Sequence, residues 1–168
     1  MVIHSSDNRG CTYGRVGKTP VIKKTGSRFK CNLLAAISSQ GLMNWMVFDD
    51  NFTSQKFIKF LGRLISQIKH KIFLIVDNHK VHHSKRVRNY LEKHQDKLEL
   101  FFLPPYCSDM NPQELVNQDV KAHANNFKLV MKLDQLMINV RYYLTRIQLN
   151  ANKVMNFFKK EGMLYAAW

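Results

Sequence analysis

The spacing of apolar residues first predicts a β-hairpin followed by an amphipathic helix. Residues 28–38 and 42–48 are two apolar runs separated by a polar link containing Gly41, which favours two antiparallel strands. Apolar residues then recur at helical spacing, and a side-chain oxygen of Thr53 or Ser54 is placed to cap that helix. The predicted apolar face consists of Phe57, Phe60, Leu61, Leu64, Ile65 and Ile68.

A strand, a helix and a second strand are predicted next, in the order of a βαβ unit. Residues 72–76 and 98–103 are short continuous apolar runs, typical of strands buried on both faces of a parallel sheet. The helix between them presents Val87, Tyr90, Leu91 and His94 on one face. A further helix is predicted over residues 112–124, where proline is tolerated at the first position. Another carries Leu133, Leu136, Met137, Val140, Leu144 and Ile147. Together these elements predict one α/β domain.

Charge narrows the choice of partner. Lysine and arginine number 26 against 12 acidic residues, which gives a net charge of +14. Such an excess favours a nucleic acid, with a ribosomal-type or membrane-surface protein as the alternative. No apolar run is long enough to span a membrane, and the first ten residues contain no secretory signal. We therefore expect an intracellular protein without a membrane partner.

Cysteine usage gives no sign of a structural cross-link. The three cysteines are Cys11, Cys31 and Cys107, an odd number with no C-x-x-C pair. This pattern argues against a disulfide framework and against a zinc ribbon.

Two carboxylates stand where chemistry is expected. Asp77 ends a predicted buried strand, and Glu114 lies near the start of the helix that follows the loop 104–111. Ligands of open α/β sheets bind beyond the carboxyl ends of the strands. Neighbouring carboxylates repel each other unless a cation joins them, and their hard oxygens favour Mg²⁺ or Mn²⁺. The alternatives are a turn or capping role for Asp77 and a helix-dipole role for Glu114.

Two longer motifs resemble a known family. Residues 73–83, FLIVDNHKVHH, and residues 101–121, FFLPPYCSDMNPQELVNQDVK, resemble bacterial insertion-sequence transposases related to the mariner elements. Those proteins carry a strand ending in Asp, a nearby His, and then a LPPYSP-x-x-NP-x-E motif followed by a lysine. Residues 18–20 and 26–29 also resemble the early hairpin region of the family. The second motif is matched in order by Leu103, Pro104, Pro105, Tyr106, Asn111, Pro112, Glu114 and Lys121.

The resemblance implies a fold, an activity and a cofactor. The fold would be ribonuclease H-like, a mixed sheet flanked by helices. Asp77 and Glu114 would be the second and third acids of an Asp–Asp–Glu triad that holds two Mg²⁺ or Mn²⁺ ions. The implied activity is cleavage of double-stranded DNA at the ends of an insertion sequence and transfer to a target. It also implies a homo-oligomer in a synaptic complex, in the bacterial cytoplasm at the nucleoid.

Several positions depart from the family pattern. The pattern places the first Asp just ahead of Met1, so we expect the first strand, its acid and the N-terminal helix-turn-helix region to be missing. This predicts an impaired or inactive enzyme. Asp7 is the only early carboxylate; it could substitute for the missing metal ligand, but the pattern favours a solvated surface residue. Cys107 and Ser108 stand where the family has Ser and Pro, and Asn117 stands where it often has Trp, which predicts looser packing beside Glu114.

Basic and imidazole side chains around these acids are candidate DNA contacts. By the family pattern, His79 and His82 lie at the mouth of the cleft, where a phosphate contact or support of the metal ligands is favoured over zinc binding. Lys121 follows Glu114 by about two helical turns, on nearly the same face. The alternatives are solvated histidines and a solvated helix face. The other candidates are Lys80, Lys85, Arg86 and Arg88.

Two other functions stay open at this point. One is a DNA-binding or oligomerising remnant of a transposase without catalysis. The other is a different ribonuclease H-like nuclease, acting on RNA–DNA hybrids or junctions.

Overall fold

The computed structural model describes residues 1–7, 13–18, 21, 28–105, 107–126 and 130–166. Parts of the two early segments that resemble the family hairpin lie outside these residues, as do Cys11 and Tyr106. Within them, strands and helices alternate through the central part of the chain. The strands are β1 (Val2–His4), β2 (Lys30–Ile37), β3 (Met43–Phe48), β4 (Ile72–Val76) and β5 (Leu98–Phe102). The helices are α1 (Ser54–Gln67), α2 (Lys85–Lys93), α3 (Pro112–His123), α4 (Leu133–Gln148) and α5 (Ala151–Asn156). Short 3-10 helices are formed by Ser108–Met110, Ala124–Asn126 and Glu161–Ala166.

The first three strands form an antiparallel sheet in the order β1-β2-β3. The predicted hairpin of β2 and β3 is confirmed. Its link turns at Gly41, whose φ of 86° is in the left-handed region that favours glycine. A Cβ at this position would lie 2.8 Å from the Cβ of Ala151, so the close approach of α5 also requires glycine. β1, a three-residue strand, lies in a region where no strand was predicted from the sequence.

β4 and β5 pair in parallel with α2 between them, which confirms the predicted βαβ unit. The prediction that both faces are buried is wrong. Phe73, Ile75 and Phe101 lie on one face, where their side chains are 63%, 44% and 45% exposed. The opposite face packs against α1 and α2. A continuous run of apolar letters predicts a strand, but it does not indicate whether a second layer covers that strand.

The hydrophobic core is divided between the two sides of the sheets. On one side, α1 and α2 cover β4 and β5, and the buried residues are Phe57, Phe60, Leu61, Leu64, Val87 and Leu98. Each helix begins at a capping hydroxyl: the Thr53 hydroxyl accepts from the backbone N–H of Lys56, and the Ser84 hydroxyl accepts from that of Val87. On the other side, β1 to β3 pack against α3, α4 and α5.

Polar contacts between elements hold α4 on the sheet. Trp45 in β3 donates its indole N–H to Gln148 Oε1 at 3.0 Å, and Gln148 Nε2 donates to the carbonyl of Met43 at 2.7 Å. Because α4 in turn packs on α3, the helix that carries Glu114 is fixed relative to the strands. Among the residues described, no helix combines the length and apolarity needed to cross a bilayer.

Candidate active site

The loop that carries Asp77 is tied to the neighbouring strand. Asp77 follows β4 directly, and the next residue, Asn78, donates its side-chain N–H to the carbonyl of Leu103 at 2.6 Å. Asn78 Oδ1 lies 3.1 Å from His83 Nε2, which places the donor on that ring nitrogen. The His83 ring stacks on Phe102 with the ring centroids 4.3 Å apart. The position of Asp77 is therefore defined by contacts to the end of β5.

The Asp77 carboxylate is bound through one oxygen. Oδ1 accepts the backbone N–H of His79 at 3.1 Å and lies 3.2 Å from His82 Nε2. The His82 hydrogen bond is the largest influence on the pKa of Asp77 and lowers it, partial burial opposes this, and the His79 N–H lowers it further. Among the residues described, no hydrogen bond is formed to Oδ2. Asp77 is therefore an anion at neutral pH with one oxygen left for a ligand.

His82 is buried, and this revises its expected role. Its side chain is only 7% exposed, and its ring meets Phe57 edge-on with the centroids 4.3 Å apart. Phe52 lies beside both rings. A residue placed in this way is not presented to a DNA phosphate. Of the two roles predicted for His82, support of the metal ligands therefore fits the structure better than a phosphate contact. His79 is exposed, and its pKa is lowered mainly by desolvation, partly opposed by the charge of Asp77.

Glu114 is placed by the start of α3. Asn111 Oδ1 accepts the backbone N–H of Gln113 at 3.0 Å, and Pro112 occupies the first helical position, as the sequence predicts. Glu114 is then in the first turn, where the helix dipole favours a negative charge. Asn117 is buried and accepts from Gln113 Nε2 at 3.2 Å. The polar residue that was expected to loosen this helix is therefore hydrogen-bonded inside it.

The two carboxylates act on a common group, the amino terminus of Met1. This amino group donates to the carbonyl of Leu33 at 2.9 Å. Burial lowers its pKa, the negative charges of Asp77 and Glu114 raise it, and the charge of Lys121 lowers it. The charges of three sequence-predicted site residues thus act on one partly buried amine, which was not predicted from the sequence. The signal that points to it is the family pattern, which places the first Asp just ahead of Met1.

Asp7 takes part in a turn away from that amine. Its Oδ2 accepts the backbone N–H of His4 at 2.8 Å, directly after β1. Asn125 donates its side-chain N–H to the carbonyl of Asp7 at 3.1 Å and to that of His4 at 3.0 Å. Asp7 therefore closes a turn at the end of β1 opposite to Met1. Across the described part of the chain, no three His, Cys, Asp or Glu side chains group in a way that could hold a metal ion.

Most of the candidate DNA contacts lie beyond Asp77. Lys80 is in the loop after β4, and Lys85, Arg86 and Arg88 are in α2. All four are exposed, and within the described ranges none of them forms an ion pair. Lys121 is partly buried on α3. The structure thus presents four exposed basic side chains, without ion pairs among the described residues, in the loop and helix that follow Asp77 in the chain.

Comparison with known proteins adds two findings. A family model described as "DDE superfamily endonuclease" matches residues 1–137. The crystal structure of the catalytic domain of Mos1 mariner transposase is similar, with a TM-score of 0.57 and 15% sequence identity over 83% of this chain and 75% of that one. At this identity the likeness concerns the fold, and it confirms the predicted ribonuclease H-like architecture. Among curated proteins, no match was found.

Proposed function

Because the chain belongs to the family of DDE superfamily endonucleases, we propose that it is the catalytic domain of a DNA transposase. Its substrate would be double-stranded DNA, cut at the ends of an insertion sequence and joined to a target. The observation that carries this proposal is that the charges of Asp77 and Glu114 both act on the partly buried amino group of Met1, which donates to the carbonyl of Leu33. Two carboxylates from distant parts of the chain repel each other, and such a pair favours a bound cation.

The donor set fits a divalent cation. Mg²⁺ is commonly bound by one or two carboxylates together with water and substrate phosphates. Asp77 supplies an anionic carboxylate with a free Oδ2, and Glu114 supplies the second carboxylate. When bound there, Mg²⁺ or Mn²⁺ would stabilise the charge on the entering and leaving oxygens of the scissile phosphate. Two ions, as the resemblance implies, require the remaining acid of the triad as well.

The basic residues beyond Asp77 would bind the DNA backbone. Lys80, Lys85, Arg86 and Arg88 are exposed and uncompensated among the described residues, so they can neutralise phosphates. The charge of Lys121 acts on the Met1 amino group, as do the charges of the two acids. Lys121 would therefore contact a phosphate close to the reacting bond. His79 is exposed beside Asp77 and would add a polar contact at the same edge.

We further propose that the 168-residue polypeptide cleaves DNA weakly. The charges of Asp77 and Glu114 act on its Met1 amino group, and Lys121 adds a positive charge. Positive charge on either group opposes the binding of a divalent ion. The first acid of the family triad would have to lie close to this region, because the family pattern places it just ahead of Met1.

A plasmid-nicking assay tests the function and the impairment together. We expect slow nicking that depends on Mg²⁺ or Mn²⁺ and is abolished by Asp77→Asn and by Glu114→Gln. A polypeptide extended ahead of Met1 by a strand with one aspartate should nick much faster than the same extension with asparagine. Nicking that persists in both the Asp77 and the Glu114 variants would overturn the proposal.

A second candidate function is a DNA-binding remnant without catalysis. It is favoured by the positive charge of Lys121, which opposes the charges of the two acids at the Met1 amine, and by the four exposed basic residues that follow Asp77 in the chain. It predicts DNA binding that is sensitive to salt but indifferent to Mg²⁺ and to Glu114→Gln. Failure of the aspartate extension to raise nicking would favour this alternative.

The remaining expectations belong to the same proposal. The chain would act as one partial catalytic domain over residues 1–168 and would assemble with a second copy when two DNA ends are brought together. Its place would be on DNA in the bacterial cytoplasm. Sedimentation of the protein with and without a DNA end would measure the assembly.

A further inference from the structure

Among the described residues, His82 is the one buried side chain that contacts the Asp77 carboxylate. Its Nε2 lies 3.2 Å from Asp77 Oδ1, and its side chain is nine-tenths buried. Asp77 itself is largely exposed. A rigid buried donor therefore holds a carboxylate that projects into solvent.

The hydrogen on the His82 ring is placed by its surroundings. Nδ1 is buried and has no hydrogen-bond partner among the described residues. A hydrogen on Nδ1 would be buried without an acceptor there, which is unfavourable. The ring therefore carries its hydrogen on Nε2, directed at Asp77. Only one of its two nitrogens is used, and that one serves the site.

Aromatic packing fixes the orientation of the ring. Phe57, a fully buried residue of α1, meets the His82 ring edge-on at a centroid distance of 4.3 Å and an interplanar angle of 75°. Phe52 lies 5.7 Å away and His79 5.9 Å away. The ring is thus held between α1 and the loop that follows β4, and the core sets the direction of the Nε2–H bond.

We propose that His82 is a positioning residue for metal binding: it holds Asp77 Oδ1 and leaves Oδ2 for the cation shared with Glu114. This inference rests on the proposed function, because it requires Asp77 to be a metal ligand. Groups that orient ligands in this way typically change metal affinity by about 10-fold to 100-fold when they are removed.

Two conservative variants separate positioning from general support of the fold. The side-chain amide nitrogen of glutamine reaches the place of Nε2, whereas that of asparagine reaches only the place of Nδ1. We expect His82→Asn to weaken Mn²⁺ binding by about tenfold, and His82→Gln to keep most of the affinity. Metal-free DNA binding and the thermal midpoint serve as controls, and Gln and Asn should affect them alike. Mn²⁺ binding is measured by the electron paramagnetic resonance signal of the free ion, with no cleavage required.

The outcomes distinguish this inference from the function on which it rests. Equal Mn²⁺ affinities of the wild type, His82→Gln and His82→Asn would overturn the positioning role, provided that Asp77→Asn and Glu114→Gln lose binding. Equal losses in the Gln and Asn variants would also overturn it, because a role in packing would produce that result. If Asp77→Asn and Glu114→Gln leave Mn²⁺ binding unchanged, the metal site itself fails and the inference fails with it.

Discussion

The side-chain N–H of Asn78 donates to the carbonyl of Leu103 at 2.6 Å, and this bond joins the residues that follow two parallel strands. Asp77 precedes the first partner, and the loop toward Glu114 begins after the second. The backbone N–H of Leu103 also donates to the carbonyl of Val76 at 2.9 Å. The loop that carries Asp77 and the loop that leads to α3 and Glu114 are therefore joined where each leaves its strand.

Removing the Asn78 side chain should loosen this edge. Asn78→Ala removes the hydrogen bonds of its side chain to the Leu103 carbonyl and to the His83 ring. We therefore expect the free energy of unfolding to fall by about 1 kcal/mol. Urea unfolding measures the change. Asn89→Ala, at an exposed position of α2, is the matched control and should change stability by less than about 0.5 kcal/mol. Equal effects of the two substitutions would show that the bond contributes nothing.

Local sequence patterns predicted where the strands and helices lie, but they did not predict which strand faces are buried. The hairpin and α1 follow from signals within a few residues, namely Gly41 between two apolar runs and a hydroxyl before a helical repeat. The exposed face of β4 and β5 was missed because exposure depends on where α3 and α4 pack. Those helices cover β1 to β3 instead, and no residue within the strands encodes that choice.

Truncating a buried and an exposed phenylalanine should therefore lower the free energy of unfolding by very different amounts. Phe60 is buried in α1, and Phe60→Ala should lower the free energy of unfolding by about 3–5 kcal/mol. Phe73 is mostly exposed, with Lys71 Nζ 5.4 Å from its ring centroid, and Phe73→Ala should cost less than about 1 kcal/mol. Urea unfolding of both variants measures the contrast. A loss at Phe73 as large as that at Phe60 would mean that the exposed face is covered in solution.

The candidate acids were easier to predict than the residues that support them. Asp77 and Glu114 lie in motifs whose order and spacing are visible in the sequence. The role of His82 depends on Phe57, a residue far away in the chain that reaches the ring only after α1 packs on β4. The same holds for the Met1 amine, which is influenced by the charges of Asp77, after β4, and of Glu114 and Lys121, in α3. Contacts of this kind are set by tertiary packing, which the periodicity of a single chain does not reveal.

DNA affinity should depend on the exposed charges of α2. Replacing Lys85, Arg86 and Arg88 by glutamine removes three uncompensated charges, so binding should weaken and the slope of log K against log salt should become shallower by up to about 3. A filter-binding or anisotropy titration at several salt concentrations measures both. Lys71→Gln is the control, because Lys71 Nζ already pairs with Glu99 at 2.9 Å. Equal slopes for the triple variant and the wild type would contradict a DNA contact by α2.

A polar cluster joins the helices α3, α4 and α5. Tyr143 donates its hydroxyl to Asp119 Oδ2 at 2.8 Å, and Lys153 Nζ lies 2.8 Å from the same oxygen and donates to the Tyr143 hydroxyl at 2.9 Å. Burial lowers the pKa of Lys153, but the hydrogen bonds to Asp119 and Tyr143 outweigh it, and the net shift is upward. The stabilisation that Lys153 provides is therefore fully present below its unfolded pKa of about 10.4 and is lost as the pH rises through the higher folded value.

Lys153→Met should reveal this dependence. At pH 8 the variant should be less stable than the wild type by no more than about 1 kcal/mol, because the lysine is partly exposed and solvent screens the pair. The difference should shrink as the pH rises above the unfolded pKa of about 10.4 and the wild-type lysine then loses its proton. Urea unfolding at a series of pH values measures the difference in the free energy of unfolding between the variant and the wild type. Lys59→Met, at an exposed position of α1 without an ion pair among the described residues, should show a small difference at every pH. If the stability difference for Lys153→Met stays constant at pH values where the wild-type lysine has lost its proton, its effect would be assigned to packing instead of charge.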